Sequence, residues 1–173
     1  MTWLAQAIGL LGFAAHLLSF QQSRRGRLLV LYVVGAIFWT IHFILLGFYT
    51  AAAMNAIAAL RTFVFYKYKK RDSNLLVYIF MTILIVVTAF TWQGYISLLP
   101  LIASLISTYA SWAESAQKIR WLTLPAPIAW FTHNIQVGSI GALADATVFV
   151  SILIGLFRHK DTQEKTDTTK KSS

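Results

Sequence analysis

Apolar runs of about 17–21 residues recur seven times along this chain, each long enough to cross roughly 30 Å of hydrocarbon as a helix. They cover about 3–21, 27–47, 50–67, 75–92, 94–112, 118–137 and 139–157. The first, fourth and fifth are the purest. Asn55 and Arg61 weaken the third, Pro125 and Pro127 the sixth, and Asp145 the seventh. With 57% hydrophobic and 12% charged residues, the composition excludes a disordered chain and argues against a soluble domain. The expected fold is an all-α polytopic membrane bundle of seven transmembrane helices.

The connections are a handful of residues each, so one membrane domain over 1–157 is expected, with a disordered cytoplasmic tail over 158–173. Cysteine is absent, which removes disulfides, thiolate chemistry and cysteine-based zinc sites. No basic region precedes the first apolar run, so a retained first helix is expected rather than a cleaved signal.

A net charge of +9 invites comparison with nucleic-acid binders, but its distribution argues otherwise. Arg24, Arg25 and Arg27 fall between runs one and two. Lys67, Lys69, Lys70 and Arg71 fall between three and four, and Lys118 and Arg120 between five and six. Arg158, Lys160, Lys165, Lys170 and Lys171 follow the seventh, and Arg61 lies near the same end of run three. The opposite connections carry no Lys or Arg. Seven helices place all fifteen basic residues on one side, which the positive-inside rule makes cytoplasmic. The N-terminus is then outside and the C-terminus inside. The expected partners are the lipid bilayer and a small polar solute, not nucleic acid.

The chain also repeats itself. Trp39-Thr-Ile-His42 through Gly47 lines up with Trp130-Phe-Thr-His133 through Gly138, an offset of 91 positions. Ile37, Ile44, Ala51 and Ala53 meet Ile128, Ile135, Ala142 and Ala144 at that offset. Self-similarity at a fixed offset signals a duplicated unit. Three helices per unit and one linking helix leave both copies in the same orientation. The expectation is 3+1+3 parallel repeats: repeat one about 3–67, an aliphatic, lipid-facing linker about 75–92, repeat two about 94–157. Trp3, Trp92, Trp112 and Trp121 fall near helix ends, as headgroup-layer indoles do.

Helical rise places Trp39 roughly 3 Å and His42 roughly 7–8 Å outward of the midplane, with Asn55 roughly 6 Å outward on the third helix. Trp130, His133, Asn134 and Asp145 fall in the same slab of the second unit. Polar groups at such depth are costly unless paired or wetted, which makes them functional candidates. The candidate substrate-binding residues are therefore Trp39, His42, Asn55, Trp130, His133, Asn134 and Asp145. An aromatic face with polar partners suits a small hydroxylated or amphipathic solute. The plainer readings stay open. The histidines can simply tie helices together, the tryptophans can simply pack, and Asp145 can be a paired structural acid rather than a titrating one. Arg61 reads as snorkelling toward the nearby interface, and His16 as structural. No phosphate loop, HExxH or nucleophile elbow is present, so neither an enzyme nor a cofactor is expected, and the histidines do not make a metal site.

His42 to Gly47, Asn55-Ala56-Ile57 with Arg61-Thr62, and His133-Asn134 followed by Gly138-Ser139-Ile140-Gly141 resemble the YgjV family of bacterial inner-membrane proteins. The resemblance covers nearly all of the chain except the tail and implies an inner-membrane location. More remotely, the three-one-three layout is similar to the SWEET and PQ-loop group, whose members move sugars, amino acids and related solutes by alternating access. In that group a tryptophan on the second helix and an asparagine sixteen residues later line the substrate site. Trp39 and Asn55 keep that spacing; in the second unit Ala146 stands there, with Asp145 beside it. Phe20 replaces the proline of the group's Pro-Gln signature before Gln21, and Pro100, Pro125 and Pro127 lie only in the second half. The resemblance implies a small-solute transporter. A receptor or assembly protein that keeps the fold without transporting is the alternative.

Overall fold

The computed structural model describes residues 2–68 and 74–158. Eight α-helices and one short 3-10 turn, without strands, make up these residues. They are α1 (Thr2–Phe20), α2 (Arg25–Leu46), α3 (Tyr49–Lys67), α4 (Leu75–Phe90), α5 (Leu98–Ser111), α6 (Ala116–Thr123), α7 (Ala126–Gln136) and α8 (Gly141–Arg158), with the 3-10 turn Tyr95–Ser97 leading into α5. The basic cluster Lys69, Lys70 and Arg71 and the expected disordered tail beyond Arg158 lie outside the described residues. Arg158 itself closes α8 rather than opening a tail.

Three helices are both long and apolar enough to cross a membrane: Trp3–Phe20, Arg25–Leu46 and Gly141–Arg158. Large apolar side chains such as Leu11, Ile44, Leu60, Ile85 and Ile154 cover the outer surface, as lipid-facing helices require. The sixth apolar run, expected as one helix, is two. α6 stops at Thr123, and α7 restarts beyond Pro125 with Pro127 in its first turn. Proline has no N–H to bond the preceding turn, and its ring crowds the carbonyl four residues back. Pro100 causes no such break, because it sits in the first turn of α5, where amide donors have no intrahelical partner anyway.

The packing order places the termini of the helices. α1 packs on α2 and α8, α2 on α3, and α3 on α4 and α5; α5 also meets α6 and α7, which both reach α8. α4 buries only the stripe Val77, Phe80, Leu84 and Thr88, seated partly on Phe65 and Trp112. Trp112 is therefore a packed side chain and not a headgroup-layer indole, whereas Trp3, Trp92 and Trp121 are exposed as expected.

Two connections fold alike. Gly47 ends α2 at φ 79°, with its N–H on the Ile44 carbonyl and the Phe48 N–H on the Phe43 carbonyl. Gly138 follows α7 at φ 61°, with its N–H on the Ile135 carbonyl and the Ser139 N–H on the Asn134 carbonyl. Every partner is displaced by the same 91 positions. A left-handed residue is needed to return the chain at once, and glycine adopts it without a Cβ clash.

The opposite end is held by arginines. Arg25, at the start of α2, donates to the carbonyls of Ser111 and Ala113 at the end of α5, and to that of Phe65. Arg120, on α6, donates to the carbonyls of Phe20 and Gln22 at the end of α1. Phe20 and Ser111 are again 91 apart, as are Gln22 and Ala113. Each arginine supplies donors to helix-end carbonyls that have no partner within their own helix.

Candidate functional site

The middle helices bring the two tryptophans toward each other. Trp39 and Phe43 share a face of α2, four residues apart. Phe43 stacks on Trp39 on one side (ring centroids 5.8 Å, 28°) and on Trp130 of α7 on the other (5.9 Å, 19°). The duplicated indoles thus meet through a phenylalanine, which the sequence reading did not single out. Ala51, Ala52 and Ala144 pack against this cluster, their small side chains letting α3 and α8 approach.

Beside the stack lies a central cavity of about 50 Å³. Its walls come from every helix except α4: His16 and Phe20 from α1, Tyr32, Trp39 and Phe43 from α2, Asn55 and Arg61 from α3, Ser104 and Ser107 from α5, Thr123 from α6, Trp130 and Asn134 from α7, and Asp145 from α8. A space of that size, lined by several polar groups, admits a few waters. Of the seven candidate residues, Trp39, Asn55, Trp130, Asn134 and Asp145 line it. His42 and His133 do not.

His42 is bonded on both sides. Its Nδ1 lies 2.7 Å from the Ala5 carbonyl, which can only accept, so Nδ1 carries the proton. Nε2 lies 2.9 Å from the Ser139 hydroxyl, whose oxygen also accepts from the Gly141 N–H. The ring thereby ties α1 to the turn that leads into α8. His133 is buried edge-on against Phe43, Phe48 and Trp130, with no hydrogen-bond partner for Nδ1.

Asn134 donates from Nδ2 to Asp145 Oδ2 at 2.7 Å, while its own Oδ1 is buried without a partner. Gly141 makes this possible: a Cβ there would stand 2.5 Å from Asn134 Nδ2. Asp145 also borders an apolar groove on the outside of α7 and α8, lined by Ile128, Phe131 and Phe149. The carboxylate therefore stands between the central cavity and the outer surface. Asn55 donates to the Ala51 carbonyl one turn back in its own helix at 3.0 Å.

Arg61 departs most from the sequence reading. It does not snorkel: the side chain is fully buried and lines the cavity. Nη1 donates to the Ser107 carbonyl at 2.5 Å and to the Ser111 hydroxyl at 3.1 Å. Tyr32 is its neighbour, and His16 stacks on Tyr32 with ring centroids 4.6 Å apart. The nearness of Arg61 to Lys67 in sequence suggested an interface, but the side chain turns inward onto α5. Among the described residues no group of three or more His, Cys, Asp or Glu is arranged to hold a metal ion.

An all-helical bundle with an apolar exterior and a polar, aromatic-walled centre defines a helical membrane protein. Residues 3–163 match the family Imp-YgjV, described as a bacterial inner membrane protein. The chain is 31% identical over 148 residues to the inner membrane protein YgjV of Escherichia coli strain K12, covering 80% of this chain and 74% of that one. The chain belongs to the YgjV family and is a bacterial inner membrane protein. No solved structure matches it.

Proposed function

We propose that this protein carries a small polar solute across the inner membrane by alternating access, in the manner of the SWEET-like transporters. In this reading α6 and α7 are one broken span, giving seven spans as 3+1+3 parallel repeats in a single membrane domain. Repeat one is about 3–67, the linker is α4, and repeat two is about 94–157. The N-terminus is outside and the C-terminus inside. The observation that carries the proposal is the central cavity, walled by both three-helix units and by nothing from the linker.

Three regularities support the repeat beneath it. The Gly47 and Gly138 caps use equivalent bonds. Arg25 and Arg120 reach equivalent carbonyls, each in the other unit. The contact of α1 with α8 becomes that of α5 with α3 when the units are exchanged. Basic residues of the described chain cluster at the end opposite the Gly47, Gly94 and Gly138 turns, which supports the proposed orientation.

Trp39, Asn55, Trp130 and Asn134 contact the solute in this scheme. Asp145 orients it or relays a proton, and His42 and His133 hold the helices that present these groups. The protein is a carrier with no cofactor, not an enzyme, and its environment is the bilayer. The test is uptake into proteoliposomes of a labelled metabolite panel, with Trp39→Ala, Asn55→Ala and Asp145→Asn as variants. Losing one polar contact of about 1–1.5 kcal/mol predicts roughly tenfold weaker apparent affinity with folding intact. Absence of flux for every solute, with folded wild type, contradicts the proposal and favours a receptor or assembly protein.

A further inference from the structure

We propose that the arginine end of the central cavity is a carboxylate site, gripped by Nε and Nη2 of Arg61. This deepens the carrier reading and rests on it for the premise that the cavity receives a solute. The guanidinium is completely buried, and its Nη1 is committed to the Ser107 carbonyl and the Ser111 hydroxyl. Those two bonds hold the plane of the fork. Nε and Nη2, the adjacent donors along its other edge, are buried and have no hydrogen-bond partner. Two parallel N–H groups on one rigid edge match the two oxygens of a carboxylate, the bidentate geometry in which arginine differs most from lysine.

Among the described residues no acid is bonded to Arg61. Asp145 lines the same cavity, but its recorded hydrogen bond is to Asn134. A buried cation with unused donors is unfavourable unless an anion or water completes it. The neighbouring wall groups are Tyr32, whose hydroxyl interacts with the Arg61 side chain, and His16; neither is a carboxylic acid. One guanidinium in a cavity of about 50 Å³ suits a small monoanion better than a bulky dianion. The aromatic stack of the same cavity faces the remainder of such a molecule, so a short apolar or amphipathic acid fits both poles.

The experiment is thermal unfolding of the purified full-length protein in detergent with propionate, propionamide, glucose and inorganic phosphate at matched ionic strength. Propionate is expected to raise the melting temperature, and propionamide, which keeps the shape and loses the anion, to leave it in place. Arg61→Lys keeps the charge without the fork and is expected to weaken propionate binding by roughly tenfold. If that variant does not fold, the wild-type contrast between propionate and propionamide decides alone. Equal stabilisation by the amide or by glucose, stabilisation by phosphate only, or no shift with propionate overturns the site. Flux of neutral solutes without acid binding sinks this inference and leaves the carrier standing. Acid binding without flux does the reverse.

Discussion

Gly35 shows how the polar side chains of this bundle are seated. A Cβ there would come within 2.2 Å of the His16 ring. Gly9 makes the same room for His42, Gly141 for Asn134 and Gly155 for Arg120. These glycines lie where a polar side chain of a neighbouring helix needs the space. Gly35→Ala must displace His16 from Tyr32, and overpacking of this kind costs about 1–3 kcal/mol. A melting temperature equal to wild type would show that the ring has another place to go. Phe43→Ala removes the ring between the two tryptophans and is expected to cost about 3–5 kcal/mol, with altered indole fluorescence as a second readout. The sequence singled out Trp39 and Trp130 because tryptophan is scarce and the copies coincide. Phe43 gave no such signal: it is one of twelve phenylalanines, and at the repeat offset it meets Asn134.

At the scale of helices, the basic residues do two things that composition cannot separate. The clusters near Arg25 and Arg120 read as a topological charge signal, and the same two residues bond the open carbonyl ends of helices in the opposite unit. Both uses place arginine at a helix end, so only the three-dimensional partners distinguish them. Arg120→Met keeps most of the volume and strands the Phe20 and Gln22 carbonyls. Hydrogen bonds to a charged group contribute about 1.5–3 kcal/mol each, so a clear loss of thermal stability is expected, larger than for Lys118→Met. Equal effects of the two substitutions would mean that Arg120 acts only as surface charge. The helices themselves were legible from the lengths of the apolar runs. The break between α6 and α7 was foreshadowed only as weak hydropathy at Pro125 and Pro127. Arg61 was misplaced because sequence distance from Lys67 measures depth along a helix, not the direction in which a side chain turns.

For the molecule as a whole, the duplicated Trp-His-Gly pattern was visible in the sequence, and the matched caps after α2 and α7 are its counterpart in the backbone. The composition of the central cavity was legible in part. Trp39, Asn55, Trp130, Asn134 and Asp145 line it because helix depth can be counted, whereas His42 and His133 share that depth but face neighbouring helices. The parallel arrangement is the claim on which carrier and site both rest, and it requires the Gly47 and Gly138 turns to lie on one face of the membrane. The chain has no cysteine, so single cysteines report without background. Tyr49 and Gln136 are exposed beside the two turns. The most direct measurement is labelling of Tyr49→Cys and Gln136→Cys in intact cells with a membrane-impermeant thiol reagent, with Lys118→Cys as the opposite-face control. Labelling of the first two from outside, and of Lys118→Cys only after the membrane is opened, is the predicted result. Labelling of Tyr49→Cys and Gln136→Cys from opposite faces would contradict it.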